Sequence, residues 1–502
     1  MKKIFISVLL IVFLVSCSKE DAPLPKISDE TAIVLSDSDI QVTGINSDSV
    51  VIKNDIVYYE DGHDFTYGEG EENDAHSKEE ADLHKVVHIT KVGTYRLSGK
   101  LSYGQVAVDL GEDAESDPEA VVTLILDGVD ITSTVAPAVI FYNVYECGDK
   151  DNATKDVDLK NAGARVIIED DSVNTVSGSY VAKIYKPDTV ELSEDKTEVL
   201  DAKKLHKYDA AFYSKMSMTL DGEGTLNINA ENEGLDSELH LTIEGGNINI
   251  KSGNDGINTN EDGVSVTTIN DGTLSIEVTG ETGEGDGIDS NGWLVINGGT
   301  VIASACAFSG DAGIDSDMGI HINGGTVLAT GHMLDRIEDG GQTFAVFNFN
   351  EKQTSDTPIT LKDENGEEIL SISPANAYSI LIYSSDKLVE GTYSLLRGEE
   401  VLYGVKSEEN RGTGMRPHNF KPENFNPEDM PKDITPPEKP FANDFPKGER
   451  PENLPEDFDP EKIRRPEGER LESFMPEESQ LLSPDFVITK GGNYFQNIHT
   501  IN

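Results

Sequence analysis

Two short sequence phrases alternate between residues 209 and 330, and their spacing constrains the fold more than any other feature. Asp286-Gly-Ile-Asp-Ser290 is typical of the first phrase and Gly298-Gly-Thr300 of the second. The last glycine of the second phrase lies at positions 224, 246, 272, 299 and 325, so successive copies are 22, 26, 27 and 26 residues apart. A period of this length is typical of stacked structural repeats.

Each second phrase opens a run in which apolar and polar residues alternate, such as Leu226–Asn229 or Val327–Ala329. Alternation of this kind indicates β-strands with one buried face. We expect each coil to read strand, turn, strand, turn, and to bury its apolar face only when stacked on the next coil. The sequence therefore predicts an all-β parallel β-helix. A β-sandwich with glycine-rich turns would also alternate, but it would not place two phrases in register.

Stacking would align the acidic residues of the first phrase in two columns. The first column contains Glu233, Asp255 and Asp286, with Asp209 and Asp311 close by, and the second contains Asp236, Asn258, Asp289 and Asp315. Neighbouring strands are about 4.8 Å apart, so the carboxylates would face one another and raise each other's pKa. Ca²⁺, which takes six to eight oxygen ligands, would relieve this repulsion. The alternative is that Asp-Gly is only turn composition.

Residues 1–17 have the pattern of a targeting segment. Lys2 and Lys3 precede the apolar run Ile4–Val15, which is too short to span a bilayer. Leu14-Val-Ser-Cys17 resembles the lipobox of bacterial lipoproteins, in which the cysteine is lipidated. This resemblance implies a lipid anchor at Cys17 as the only membrane attachment, and a location at the outer membrane or cell surface.

The remaining composition fits an extracellular chain. A formal net charge of −53 excludes a basic surface for nucleic acid and favours cation binding. Cys147 and Cys306 could form a disulfide or remain as two buried thiols.

Changes in pattern along the chain predict six segments. The signal and lipidated cysteine occupy residues 1–17, and a tether with N-terminal strands occupies 18–85. The parallel β-helix covers 86–335, with loops inserted at 111–120, 146–164 and 186–206, and an antiparallel β capping module covers 336–410. Residues 411–478 contain 13 of the 21 prolines and are predicted to be a disordered insertion that could dock a protein partner. Terminal strands in 479–502 would rejoin the capping module.

Several motifs together resemble the carbohydrate-binding domain-containing protein family. They are Gly93-Thr-Tyr-Arg-Leu-Ser-Gly99, Leu124-Ile-Leu-Asp-Gly-Val-Asp130, the acidic columns and the Gly-Gly-Thr turns. The resemblance implies a right-handed parallel β-helix with calcium, similar to pectate lyases, and binding of cellulose-like or pectic polymer without established lyase activity. It implies calcium positions at Asp255, Asp286, Asp289, Asp311 and Asp315. The match is poorer at Asn258 and at Tyr213, which stand where the family has acids.

Three functions follow from these features. The first is a non-catalytic cell-surface protein that binds polysaccharide. The second is a calcium-dependent polysaccharide lyase, for which Lys215 or Lys251 would be the base, although lysines near carboxylates are more often ion-pair partners. The third is an adhesin or structural surface protein. Trp293, Tyr208, Phe212 and Tyr213 could provide aromatic surfaces for sugar, but they could equally be buried.

Overall fold

The structure is a computed structural model, and it describes most of the chain. The described residues are 30–54, 56, 78–150, 153–179, 184–185, 191–192, 199–201, 204–206, 208–407 and 482–501. The predicted lipid anchor at Cys17, the tether and the proline-rich insertion at 411–478 lie outside the described residues.

The described residues of the first part of the chain form eight strands and one short α-helix, α1 (Lys78–Ala81). Single 3₁₀ turns lie at Ser47–Ser49 and Glu112–Ser116. The strands are β1 (Glu30–Leu35), β2 (Gln41–Gly44), β3 (Val50–Lys53), β4 (Lys85–Ile89), β5 (Gly93–Leu101), β6 (Gly104–Asp109), β7 (Val122–Thr132) and β8 (Val139–Asn143).

The middle of the chain is built from short strands that follow one another closely. They are β9 (Ala164–Ile168), β10 (Val173–Gly178), β11 (Ile184–Tyr185), β12 (Glu191–Leu192), β13 (Val199–Asp201), β14 (Lys204–His206), β15 (Ala210–Ser214), β16 (Met218–Gly222), β17 (Thr225–Ala230), β18 (Glu233–Ser237), β19 (His240–Ile243), β20 (Asn247–Ser252), β21 (Ile257–Thr259), β22 (Val266–Ile269), β23 (Thr273–Val278), β24 (Ile288–Ser290), β25 (Trp293–Ile296), β26 (Thr300–Ser304), β27 (Gly319–Ile322) and β28 (Thr326–Gly331).

Apart from β11–β14, which form two separate antiparallel pairs, these strands pair in parallel along three ladders. The repeats from β16 to β24 each contribute one strand to each ladder. Ladder A contains β10, β17, β20, β23, β26 and β28. Ladder B contains β9, β16, β19, β22, β25 and β27. Ladder C contains β4, β6, β8, β15, β18, β21 and β24. The predicted all-β class with parallel strands is confirmed.

The register in ladder A follows the predicted repeat. The Thr or Asn after each glycine turn aligns with its counterpart in the next repeat: Thr225, Asn247, Thr273, Thr300 and Thr326. The next position is apolar and points inward in every repeat, and burial of each such side chain contributes about 1.5–3 kcal/mol. These inward residues are Leu226, Ile248, Leu274, Val301 and Val327, all of them within a continuous core.

The repeat contains three strands rather than the predicted two. The first phrase is itself a strand of ladder C, as in Glu233–Ser237, in which all five residues are buried. The small residue of this phrase lets the strand approach ladder A closely. A Cβ on Gly256 would lie 2.2 Å from Ile276 Cγ2 and 2.5 Å from the carbonyl oxygen of Gly287. The first phrase has the composition of a turn but contributes to a strand. Local sequence patterns therefore assign this strand wrongly as a turn.

The last part of the chain extends the large sheet and adds a second sheet rather than continuing the repeat. Its strands are β29 (Phe344–Gln353), β30 (Ile359–Asp363), β31 (Glu368–Ile372), β32 (Tyr378–Ser384), β33 (Gly391–Arg397), β34 (Glu400–Val401), β35 (Tyr403–Ser407), β36 (Asp485–Ile488) and β37 (Gly492–His499).

These C-terminal strands cover one end of ladder A. β32 pairs antiparallel with β28 and with β29. β36 pairs with β33, and β37 pairs with β35, also antiparallel. The pairing of β29 with β37 is parallel, which departs from the predicted antiparallel module. The side chains of Ile302 and Leu328, which face outward from ladder A, pack into the aromatic core of this part, so the last ladder edge is not left open.

Among the described residues, no helix has the length and apolar content needed to cross a membrane.

Candidate functional site

Ladder C brings the second acidic column together. Asp236 aligns with Tyr213 on one side and Asn258 on the other, and Asn258 aligns with Asp289. In earlier strands the same column is apolar, with Ala107 aligned to Ile140 and Ile140 aligned to Tyr213. The column therefore changes from apolar to acidic as it passes Tyr213.

The residues of the first column do not all align in the strand register. Glu233 aligns with Ala210 rather than with Asp209, which lies just before the strand. Carboxylate oxygens of Asp209, Glu233 and Asp236 nevertheless lie within 4.8 Å of one another. Glu233 and Asp236 are buried, and among the described residues this is the group of three whose ligand atoms converge on one point.

Two asparagines complete this acidic group. Asn258 Nδ2 donates a hydrogen bond to Glu233 Oε1 at 3.1 Å. Asn260 Nδ2 donates to both Asp236 oxygens, at 2.8 and 3.0 Å. Asn258 Oδ1 is buried and has no hydrogen-bond partner among the described residues. A buried oxygen without a donor is costly unless a cation or water meets it.

Tyr213 occupies the acidic column without offering a charged oxygen. Its side chain is completely buried, and its hydroxyl donates to Glu238 Oε1. Burial, and then the neighbouring Glu238 and Asp236, raise the pKa of Tyr213 well above its usual value, so the phenol stays neutral. The rings of Tyr208 and Tyr142 continue from it in edge-to-face contacts.

The remaining first-column acids bind the main chain of a neighbouring repeat. Asp255 Oδ1 accepts a hydrogen bond from the amide of Asp286 at 2.6 Å. Asp286 Oδ1 accepts one from Ala312, and Asp311 Oδ2 accepts one from Gly285 at 2.6 Å. These contacts tie adjacent repeats together.

Several of these carboxyls have pKa values raised above the ordinary value for aspartate. Burial raises the pKa of Asp255 well above 3.8, and the charge of Glu233 raises it further. Burial and then Asp255 do the same for Asp286. Burial raises the pKa of Asp315 to about 7, with Asp335 adding to the effect. A bound cation would favour the charged forms instead.

Asp335 extends the acidic group and was missed in the sequence. Its Oδ2 accepts a hydrogen bond from the amide of Ser316 at 3.2 Å. Asp335 lies 20 residues after Asp315, but the glycine-containing phrase is absent around it. The sequence repeat therefore carries no signal for Asp335, and only the structure shows that a bridge between Ile320 and Ile337 continues ladder B for one more residue pair.

In the metal-free protein we expect the melting temperature to fall as pH rises from about 4 to about 7. Below their ordinary value of 3.8, Asp255, Asp286 and Asp315 are protonated in both states and impose no penalty. Above it, the unfolded chain loses protons that the folded protein retains, so the free energy of unfolding decreases. Thermal unfolding in chelator should show a decrease of about 4 °C, which Asp315→Asn should reduce. A profile that rises over this range would contradict the shifts.

The two lysines proposed as bases have different surroundings. Lys251 lies exposed on ladder A and forms an ion pair with Glu277, its register partner, at 2.9 Å. Lys215 is half-buried directly after β15, and its amide donates to the carbonyl of Phe141. The structure thus gives Lys251 a structural partner.

The aromatic residues noted in the sequence are mostly internal. Phe212 and Tyr213 are completely buried, Tyr208 is 7% exposed, and Trp293 is half-buried at the start of β25. The two described cysteines are free thiols, Cys306 buried and Cys147 half-buried. Burial, with the adjacent Glu146, raises the pKa of Cys147 to about 11, so its thiol is un-ionised at neutral pH.

Comparison with known proteins yields three matches. A model of the carbohydrate-binding domain-containing protein family matches residues 84–387. A carbohydrate-binding domain-containing protein of Acetivibrio thermocellus is 28% identical over 174 residues, which are 33% of this chain and 44% of that protein. The chain thus matches less than half the length of this relative. A solved structure of the polysaccharide lyase-like protein from C. thermocellum, a gadolinium derivative, aligns with a TM-score of 0.33 at 20% identity, covering 59% of this chain and 83% of that chain.

The family match spans more than half of the chain and contains the three ladders from β4 to β28. It also contains the converging oxygens of Asp209, Glu233 and Asp236. The chain therefore belongs to the carbohydrate-binding domain-containing protein family.

Proposed function

We propose that the protein binds polysaccharide, cellulose-like or pectic, without catalysis. The observation that carries this proposal is the family match across residues 84–387, which coincides with the parallel ladders. The ladders, with one strand each per repeat, support a parallel β-helix, for which we propose the right-handed form. A long repetitive surface of this kind suits an extended polymer.

We further propose that Ca²⁺ stabilises the repeats. The donor set of Asp209, Glu233 and Asp236 is made of hard oxygens, which Ca²⁺ prefers. Asn258 Oδ1 would contribute a fourth, neutral oxygen, since it has no partner among the described residues. Asp255, Asp286, Asp289, Asp311 and Asp315 would hold further ions by the same chemistry. Bound ions would neutralise the carboxylates and hold adjacent repeats together.

The proposed location is the outer membrane or cell surface, with a lipid on Cys17. The support is the lipobox-like Leu14-Val-Ser-Cys17 after a short apolar run. A lipid anchor would leave the repeats facing the polymers outside the cell.

The test uses the mature chain incubated with cellulose and with immobilised polygalacturonate, in Ca²⁺ and in chelator. We expect retention on at least one polymer and no rise in absorbance from unsaturated products. Lys251→Ala should leave the product absorbance as it is in the wild type, because Lys251 pairs with Glu277 on the surface. Unsaturated product that disappears in Lys251→Ala or Lys215→Ala would replace the proposal with a lyase. Retention on neither polymer would contradict glycan binding and favour an adhesin.

A further inference from the structure

The outward face of ladder A has an unusual composition for this chain. Among the described residues, its free part is formed by β10, β17, β20 and β23, since Ile302 and Leu328 on the last two strands pack under the C-terminal sheets. β7 continues the sheet beyond β10, where Lys100 and Asp130 form an ion pair. Along this free part the outward residues are Val, Thr, Ser and Asn, with one Lys and one Glu. Lys251 and Glu277 neutralise each other at 2.9 Å. The face therefore has no net charge, within a chain whose net charge is −53.

Amide side chains on this face are held in order by one another. Asn249 Nδ2 donates to Asn227 Oδ1 at 3.1 Å, and Asn247 Nδ2 donates to Thr225 Oγ1 at 3.2 Å. The side chains of Asn229 and Asn247 are exposed, whereas Asn227 and Asn249 are half-buried. An amide has two donors and an acceptor, so each asparagine retains hydrogen-bonding capacity toward solvent. Ordering before binding reduces the entropy that a ligand must overcome.

The edge of the face limits which polymers fit. Exposed acids precede the strands at the turns: Asp221, Glu244 and Asp271. They would repel a polyanion that approaches without bridging cations. Hydroxyl groups both donate and accept hydrogen bonds, which matches the amide row. Strands about 4.8 Å apart give the four-strand row a length of about 14 Å, enough for several adjacent contacts along one extended chain.

We infer that the outward face of ladder A is a binding surface for a neutral, hydroxyl-rich polysaccharide, separate from the acidic columns of ladder C. This inference rests on the proposed function and names the surface and the class of polymer. Aromatic stacking is not required, because the contacts are hydrogen bonds to ordered amides. Calcium would stabilise the repeats without touching this polymer.

The test compares retention of the full mature protein on microcrystalline cellulose and on polygalacturonate. Asn247→Asp with Asn249→Asp adds two carboxylates to the neutral row with almost no change in volume. We expect retention on cellulose to fall about tenfold, because hydrogen-bond donors are lost and charged groups must be desolvated. Asn247→Asp alone changes an exposed side chain and should give a smaller loss with the wild-type melting temperature. The matched control is Asn350→Asp, which lies exposed on β29 in the C-terminal sheets and should leave retention unchanged.

Each outcome separates the two proposals. If the wild type and both ladder A variants are retained equally on cellulose, the ladder A surface is overturned and glycan binding is left in place. Wild-type retention on polygalacturonate alone would also overturn it, since the inferred polymer is neutral. Loss of cellulose retention in the ladder A variants but not in Asn350→Asp would support the inferred surface. Failure of the wild type to bind either polymer would overturn both proposals.

Discussion

Gly256→Ala is expected to destabilise the protein by about 3 kcal/mol. The added Cβ would lie 2.2 Å from Ile276 Cγ2 and 2.5 Å from the carbonyl oxygen of Gly287. The first contact is with a stiff, β-branched side chain in the core, and the second is with the main chain of the next repeat. Ile257 donates its amide proton to that same carbonyl at 3.2 Å. Relief of the clash therefore requires the two repeats to separate.

The measurement is chemical unfolding, compared with Gly391→Ala on β33. A Cβ at Gly391 meets only Tyr393, at 3.7 Å, so we expect a change below about 0.5 kcal/mol. Because Gly256 lies between Asp255 and Asn258, the first variant should also weaken any calcium response. Equal stabilities for the two variants would show that ladders A and C are not packed as closely as the structure indicates.

Removal of Ca²⁺ is expected to lower the melting temperature of the wild type by about 5 °C or more. A ligand present at one hundred times its dissociation constant stabilises the folded state by about 2.7 kcal/mol, and several ions would add to this. Three carboxylates converge within 4.8 Å, so without a cation their repulsion also destabilises the site. Thermal unfolding in Ca²⁺ and in chelator, with calorimetric titration of Ca²⁺, measures both effects.

Asp236→Asn should have opposite effects on stability in Ca²⁺ and in chelator. In Ca²⁺ it should be less stable than the wild type, because a charged ligand is lost. In chelator it should be at least as stable, because one of three close negative charges is gone while Asn260 still donates to the remaining carbonyl. The exposed Asp221→Asn is the control and should change neither value. A wild-type melting temperature that is the same in Ca²⁺ and chelator would rule out calcium in these columns.

Features that repeat were readable from the sequence. Thr225, Asn247, Thr273, Thr300 and Thr326 align because each copy of the glycine turn meets the equivalent copy in the next repeat. The second acidic column follows for the same reason, since Asp236, Asn258 and Asp289 hold equivalent places in successive strands. A strand that pairs with the equivalent strand of the next repeat has one register that keeps apolar residues inside. The spacing of the repeats therefore predicts which residues are neighbours.

Features that occur once were decided by the tertiary structure. Asp209 reaches Glu233 and Asp236 from outside the strand register, and Asp335 joins Asp315 without the repeated phrase. Lys251 pairs with Glu277 because both face outward from aligned strands, and β37 returns to β29 in parallel from about 150 residues away. Periodicity in the sequence determines which residues stack, because stacking brings together residues at equivalent positions of successive repeats. Convergence of unlike residues depends on how strands turn at their ends and on which distant segments cover them, and no local pattern contains that information.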